Sequence, residues 1–176
     1  MGMYDTILVP TDGSPGFEQV IAHAEEVAEI HGADVLALYV VDATSYTGLP
    51  MEASWEGVRE VLDGQGDIAL TEVEQLLDDG LDLETTTVEG RPSREIVRVA
   101  REQGVDCIVM GTHGRGGIDR LILGSVAERV VRTAPVPVVT VRLGAGGSEE
   151  AAEEDQEQER DPKQNEDREP AAVGPE

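Results

Sequence analysis

Lysine is all but missing from this 176-residue sequence: there is one, Lys163, against 37 acidic residues, and the formal net charge is −24. A surface this negative repels the phosphate backbone of nucleic acid and anionic lipid headgroups, so neither is expected as a general partner. Cysteine occurs once, as Cys107, which rules out an internal disulfide and fits a reducing compartment. It lies in the apolar run "VDCIVMG", where a small buried residue is expected rather than a catalytic thiol. Aromatics are scarce too, with one Phe, one Trp and three Tyr, too few for the ring stacking that flavin sites use. No apolar stretch reaches the ~18 residues of a membrane span. The start, "MGMYDTILVP", has no basic region followed by a long apolar segment, so no secretory leader and no membrane association are expected. The expected location is the cytoplasm. Acid-rich, lysine-poor composition resembles that of cytosolic proteins from salt-accumulating microbes, where a Debye length of about 3 Å at ~1 M salt screens self-repulsion.

The chain is long enough for one domain with a normal core, and its composition shifts near residue 143. Residues 144–176 carry twelve acidic and three basic residues and almost nothing large and apolar. They read as a solvated, disordered tail behind a domain of residues 1–143. That domain holds ten arginines against 25 acids, a net charge of −15.

Within the domain, strand-like and helix-like segments alternate. "YDTILVP" is a strand ending at Pro10, and "TDGSPG" is turn chemistry that offers Ser14 as N-cap and Pro15 as the first helical residue. Phe17, Val20, Ile21, Ala24, Val27 and Ala28 follow at helical spacing as far as about His31, where Gly32 stops the helix. "ADVLALYVVD" is apolar almost throughout, as a strand buried on both faces must be. After a loose connection over residues 43–54, a second helix spans Trp55 to Leu77, weakened in its middle by Gly64 and Gly66. "LDLETTTVEG" is a third strand, "RPSREIVRVAREQG" a helix, "VDCIVMG" a fourth strand, and "VPVVTVR" a last one. A helix from about Ser125 to Arg132 separates the last two. This βαβαβαβαβ order predicts a parallel sheet with right-handed crossovers. Such sheets take ligands beyond the carboxyl ends of their strands, where strand order reverses.

The segment that follows the fourth strand, "GTHGRGGIDRLILGSVAERVV", lies at such an end. It departs from several known phosphate cradles. Gly117-Ile118 follow Gly116 where a Walker loop needs lysine and a hydroxyl. A dinucleotide fingerprint would follow the first strand, and Asp119 stands where its third glycine would fall. A receiver domain needs an acidic pair after strand one and a lysine after strand five. What is met is Gly-x2-Gly-x9-Gly-Ser, by Gly111, Gly114, Gly124 and Ser125.

With "VPTDGS" ending strand one and "APVPVVTVR" closing the domain, the chain resembles the universal stress protein family from about Tyr4 to Arg142, and within it the ATP-binding branch. The resemblance implies an open, doubly wound five-stranded sheet of order 3-2-1-4-5, with ATP across the ends of strands one, two and four. Pro10, Thr11 and Asp12 would flank the nucleoside, with Asp12 on a ribose hydroxyl, and a main-chain group of Val40 would meet the adenine edge. Gly111, Thr112, His113, Gly114, Arg115, Gly116 and Gly117 would wrap the phosphates, and Gly124, Ser125, Val126 and Ala127 would complete the cradle. It also implies a homodimer through the last strand, where "VPVVTVR" would pair with its twofold mate.

The residues themselves allow a plainer reading beside this one. The glycines could serve turn geometry alone, and Asp12 could cap the next helix. Ser125-x-x-Glu128 fits a capping box, which would occupy the N–H groups of both and leave those of Val126 and Ala127 for an anion. No catalytic residue is assigned, because His113 has neither a nucleophile nor an orienting partner in sight, and no metal-ligand spacing is present. Arg115 alone would not neutralise a triphosphate, so Mg²⁺ carried by the phosphate oxygens is expected. The expected function is a nucleotide-dependent regulatory dimer. A slow ATPase or nucleotidyl-transfer enzyme, or a scaffold that binds no nucleotide, are its alternatives.

Overall fold

Each strand-like segment pairs, in a computed structural model that describes residues 2–42, 55–112 and 123–143, the side chains of 55–60, 62 and 63 excepted. The strands are β1 (Thr6–Thr11), β2 (Asp34–Val41), β3 (Leu83–Glu89), β4 (Cys107–Gly111) and β5 (Val138–Val141). Four helices alternate with them: α1 (Glu18–His31), α2 (Trp55–Leu76), α3 (Pro92–Glu102) and α4 (Ser125–Thr133). All pairings are parallel and the order is β3-β2-β1-β4-β5. The chain divides into Met1–Ala145 and Gly146–Glu176; the tail and the connection over 43–54 lie outside the described residues.

Period-two alternation sorts the strand side chains between two cores. Ile7, Val9, Val35, Ala37, Cys107 and Val109 face α1 and α2, with Val20, Ile21, Ala24 and Val73 opposite them. Leu8, Leu36, Leu38, Ile108 and Met110 face α3 and α4, meeting Ile96, Val99, Ala100 and Val130. Because both faces are covered, the central strands are apolar throughout, which is why they read as continuous runs. Leu8 and Leu38 are wholly buried, so cutting either to alanine should cost about 2–5 kcal/mol. Helices α1 and α2 carry the chain outward from β1 on one face, and α3 and α4 carry it the other way on the opposite face. The direction therefore reverses between β1 and β4.

Three local expectations need correction. Strand β1 continues one residue past Pro10. Helix α1 starts at Glu18, not Pro15, and Phe17 rather than Ser14 is its N-cap, without a side-chain cap bond. Ser14 is unavailable because its N–H (3.0 Å) and its hydroxyl both donate to Asp12 Oδ1, while residues 15–17 form a separate turn. Helix α2 runs unbroken through both glycines. A Cβ on Gly66 would lie 2.8 Å from Cδ1 of Tyr39, so this glycine is what lets α2 approach β2; nothing stands within 4 Å at Gly64. Gly64→Ala should thus stabilise by about 0.5–1 kcal/mol through helix propensity. Gly66→Ala should lose on the order of 1 kcal/mol net, since overpacking a buried ring costs about 1–3 kcal/mol. Urea titrations of the two variants should shift in opposite directions.

Cys107 is fully buried. Burial above all pushes its thiol above the usual value, partly opposed by a main-chain hydrogen bond at Ile108, and the nearby Asp106 charge adds a smaller push upward. This is the environment of a structural, inert cysteine.

Candidate functional site

At the reversal point a proline ends the ladder between β1 and β4. The Asp34 N–H donates to the Asp5 carbonyl (2.9 Å), so the odd-numbered main-chain groups of β1 face β2 and those of Leu8 and Pro10 face β4. Pairing with β2 continues to Thr11↔Tyr39. Pairing with β4 stops at Leu8↔Ile108, because the next donor on that side would be the N–H that Pro10 lacks. The β1–β4 ladder therefore ends three residues short of both strand tips, at the switch point where sheets of this kind carry their crevice.

On the β1 side of this mouth, Thr11-Asp12-Gly13-Ser14 fold on themselves. Gly13 N–H donates to Thr11 Oγ1 (3.1 Å), with Gly13 at φ 69°, a region glycine enters without strain. Asp12 Oδ1 takes the two Ser14 bonds, which is an Asx turn rather than a helix cap. One carboxylate oxygen is thus committed to shaping the loop. Strand β2 adds main chain from its own end. Val35 N–H donates to Asp82 and Val41 C=O accepts from Gly90 N–H, both toward β3, so the main-chain groups of Val40 face β1. The next β1 donor on that side is Gly13 N–H, turned inward to Thr11, which leaves the Val40 carbonyl facing the crevice past the end of the ladder.

The β4 side is a backbone junction. Thr112 N–H donates to the Val141 carbonyl (2.8 Å) and Thr112 C=O accepts from Gly124 N–H (2.7 Å). One residue therefore ties the end of β4 to the end of β5 and to the start of α4. Gly124 is the N-cap of α4, extended at φ −59°, ψ 151°, with no side-chain cap bond. The capping box is not formed, because Ser125 is already the first helical residue and Glu128 pairs with Arg132 instead (2.6 Å). Glu128 N–H bonds the Gly124 carbonyl (2.8 Å), as the first intrahelical bond. Three donors rather than two remain, the N–H groups of Ser125, Val126 and Ala127, which have no acceptor among the described residues. Three such groups at a helix start, with a partial charge of about +0.5, can receive an anion.

Pro10, Thr11, Asp12, Val40, Gly111, Thr112, Gly124, Ser125, Val126 and Ala127 thus all stand at the carboxyl ends of β1, β2 and β4 or at the α4 start. His113, Gly114, Arg115, Gly116 and Gly117 lie outside the described residues. Among the described residues no group of three or more His, Cys, Asp or Glu could hold a metal ion, and no helix is long and apolar enough to cross a membrane. Gly13 and Ser14, which lock the Asp12 loop, were not singled out from sequence as site residues, although "TDGS" is an Asx-turn pattern.

Comparison with known proteins shows the family and the fold. The profile of the universal stress protein family matches residues 3–142. A universal stress protein of Methanocaldococcus jannaschii is 43% identical over 141 residues, covering 80% of this chain and 83% of that protein. The structure of UspA from Lactobacillus plantarum matches with a TM-score of 0.69 at 29% identity, over 81% of this chain and all of that one. A universal stress protein from Archaeoglobus fulgidus, solved in complex with dAMP, shares the fold with a TM-score of 0.53 at 24% identity, over 78% of this chain and 98% of that one.

Proposed function

The chain belongs to the universal stress protein family, and on that footing we propose that it is a cytoplasmic regulatory protein that binds ATP with Mg²⁺ and acts as a homodimer whose state depends on the nucleotide. The observation that carries this reading is the trio of N–H groups of Ser125, Val126 and Ala127 at the carboxyl end of the sheet, where Pro10 ends the β1–β4 ladder. An adenine nucleotide is the ligand class supported by the dAMP complex of the Archaeoglobus relative. The trio would receive phosphate, Gly111 to Gly117 would wrap it, and the Val40 carbonyl would accept from the adenine amino group. The ribose would lie over the Asp12 loop.

A triphosphate brought to a chain of net charge −24 needs more positive charge than backbone dipoles and Arg115 supply. Mg²⁺ on the phosphate oxygens would provide it, keeping most of its own water. Regulation rather than turnover is favoured because, among the described residues, no side chain at the mouth is assigned as a general base. Steady-state ATP hydrolysis should be slow or absent and unchanged in His113→Ala; rapid turnover abolished by that substitution would make the protein an enzyme instead. The acid-rich, lysine-poor surface supports a salt-rich cytoplasm as its medium. Its thermal midpoint should then rise between 0.1 and 2 M KCl as self-repulsion is screened, and a flat or falling midpoint would remove that reading.

A further inference from the structure

The body's few positive charges are not spread evenly. Five of its ten arginines line one groove of about 790 Å³ between α3 and α4: Arg91 at the N-cap of α3, Arg94, Arg98 and Arg101 along it, and Arg129 on α4. Arg94, Arg98 and Arg101 recur at spacings of four and three, and Arg91 stands three residues before them at the helix start, so the four form one stripe. At 1.5 Å per residue, that stripe is about 15 Å long. Val97, 7% exposed, contributes an apolar patch to the same groove.

This chain has carboxylates to spare, and arginines elsewhere use them, as Arg132 does with Glu128 (2.6 Å). Within the groove only Arg98 is neutralised, by Glu95 (2.7 Å) and Glu102 (2.5 Å). Arg91, Arg94, Arg101 and Arg129 have no carboxylate partner among the described residues. Four unpaired guanidinium groups around an apolar patch, on an otherwise acidic body, make a local site of opposite sign. Guanidinium is weakly hydrated and forks onto carboxylate in a plane, which suits an interface.

The geometry points to this α3–α4 groove as the docking site for an acidic segment of a partner protein, about five extended residues long, with its carboxylates on the unpaired arginines. The length follows from the stripe, since five extended residues span ~16 Å. Charge complementarity selects the sign. Nucleic acid fits less well, because no aromatic residue lines the groove for base stacking. A duplex would also reach past the groove to the surrounding carboxylates. At 0.1 M salt the Debye length of about 10 Å lets the groove act at contact while the body's wider negative field is damped.

The test uses the full chain and fluorescein-labelled hexaglutamate, with labelled hexathymidylate as comparator, by fluorescence anisotropy at 0.1 M KCl. Saturable hexaglutamate binding is expected, weakened roughly tenfold or more in Arg94→Glu/Arg101→Glu and unchanged in Arg132→Glu. The substituted side chains are all exposed, and circular dichroism should show each variant folded. No saturable binding by the native chain, equal binding by the double variant, or hexathymidylate bound as tightly as hexaglutamate would each overturn the assignment.

Discussion

Ser125→Pro should leave the protein as stable as before and weaken ATP binding by about tenfold to a hundredfold. Proline is tolerated at the first helical position, where the N–H has no intrahelical partner. It also requires an extended residue before it, and Gly124, at φ −59° and ψ 151°, already is one. The chain uses the same arrangement at α3, where Pro92 follows Arg91 at φ −80° and ψ 118°. The substitution therefore removes one of the three N–H groups proposed to receive phosphate, and little else. A hydrogen bond to a charged group is worth about 1.5–3 kcal/mol, which sets the expected loss. Ser125→Ala, which keeps the N–H and removes the hydroxyl, separates the two contributions. Unchanged affinity in the proline variant, measured by calorimetry, would mean that phosphate does not sit at the start of α4.

Thr140→Pro should convert a dimer to a monomer. The sheet has two edges of different character. Strand β3 reads "LETTTVE", with two glutamates and three threonines, whereas β5 reads "VVTV". Polar and charged edges resist pairing and apolar ones invite it, so β5 is the edge that needs a cover. The carbonyls of Pro137 and Val141 accept from β4 and its extension, so the main-chain groups of Val138 and Thr140 face the open edge. Proline at 140 removes an outward donor and leaves the bonds to β4 in place. Light scattering should report half the mass of the native protein, and a variant that stays dimeric would move the interface away from β5.

The fold was legible because each strand's burial is written in its pattern. Strands covered on both faces had to be apolar throughout, and each helix shows its buried stripe at helical spacing. Strand β3, at an edge, is mostly polar instead, with only Leu83 and Val88 apolar, one toward each core. What misled was local competition for the same polar groups. Ser14 could cap α1 or bond Asp12, and the Asx turn won, shifting the helix start to Glu18. Glu128 could reach back to the helix start or along the helix to Arg132, and the ion pair one turn on took it.

Pro10 and Gly66 misled in another way, because each acts through a neighbour distant in sequence. Pro10 reads as a strand end until one sees that only its β4 side needed a donor. Gly66 reads as a weak point until the Tyr39 ring is placed against it. The carboxyl-end location of the candidate site followed from strand order alone, but its third free N–H followed only from the helix cap.

The most direct test of nucleotide binding is a calorimetric titration of the native chain with ATP and Mg²⁺ in molar KCl. The structure predicts saturable binding at one site per chain, strong enough to be lost in stages through Ser125→Pro and Gly114→Val. A folded native protein that releases or absorbs no heat with ATP, ADP or AMP at several temperatures would contradict it, and would reduce the glycine segment to a corner in a scaffold.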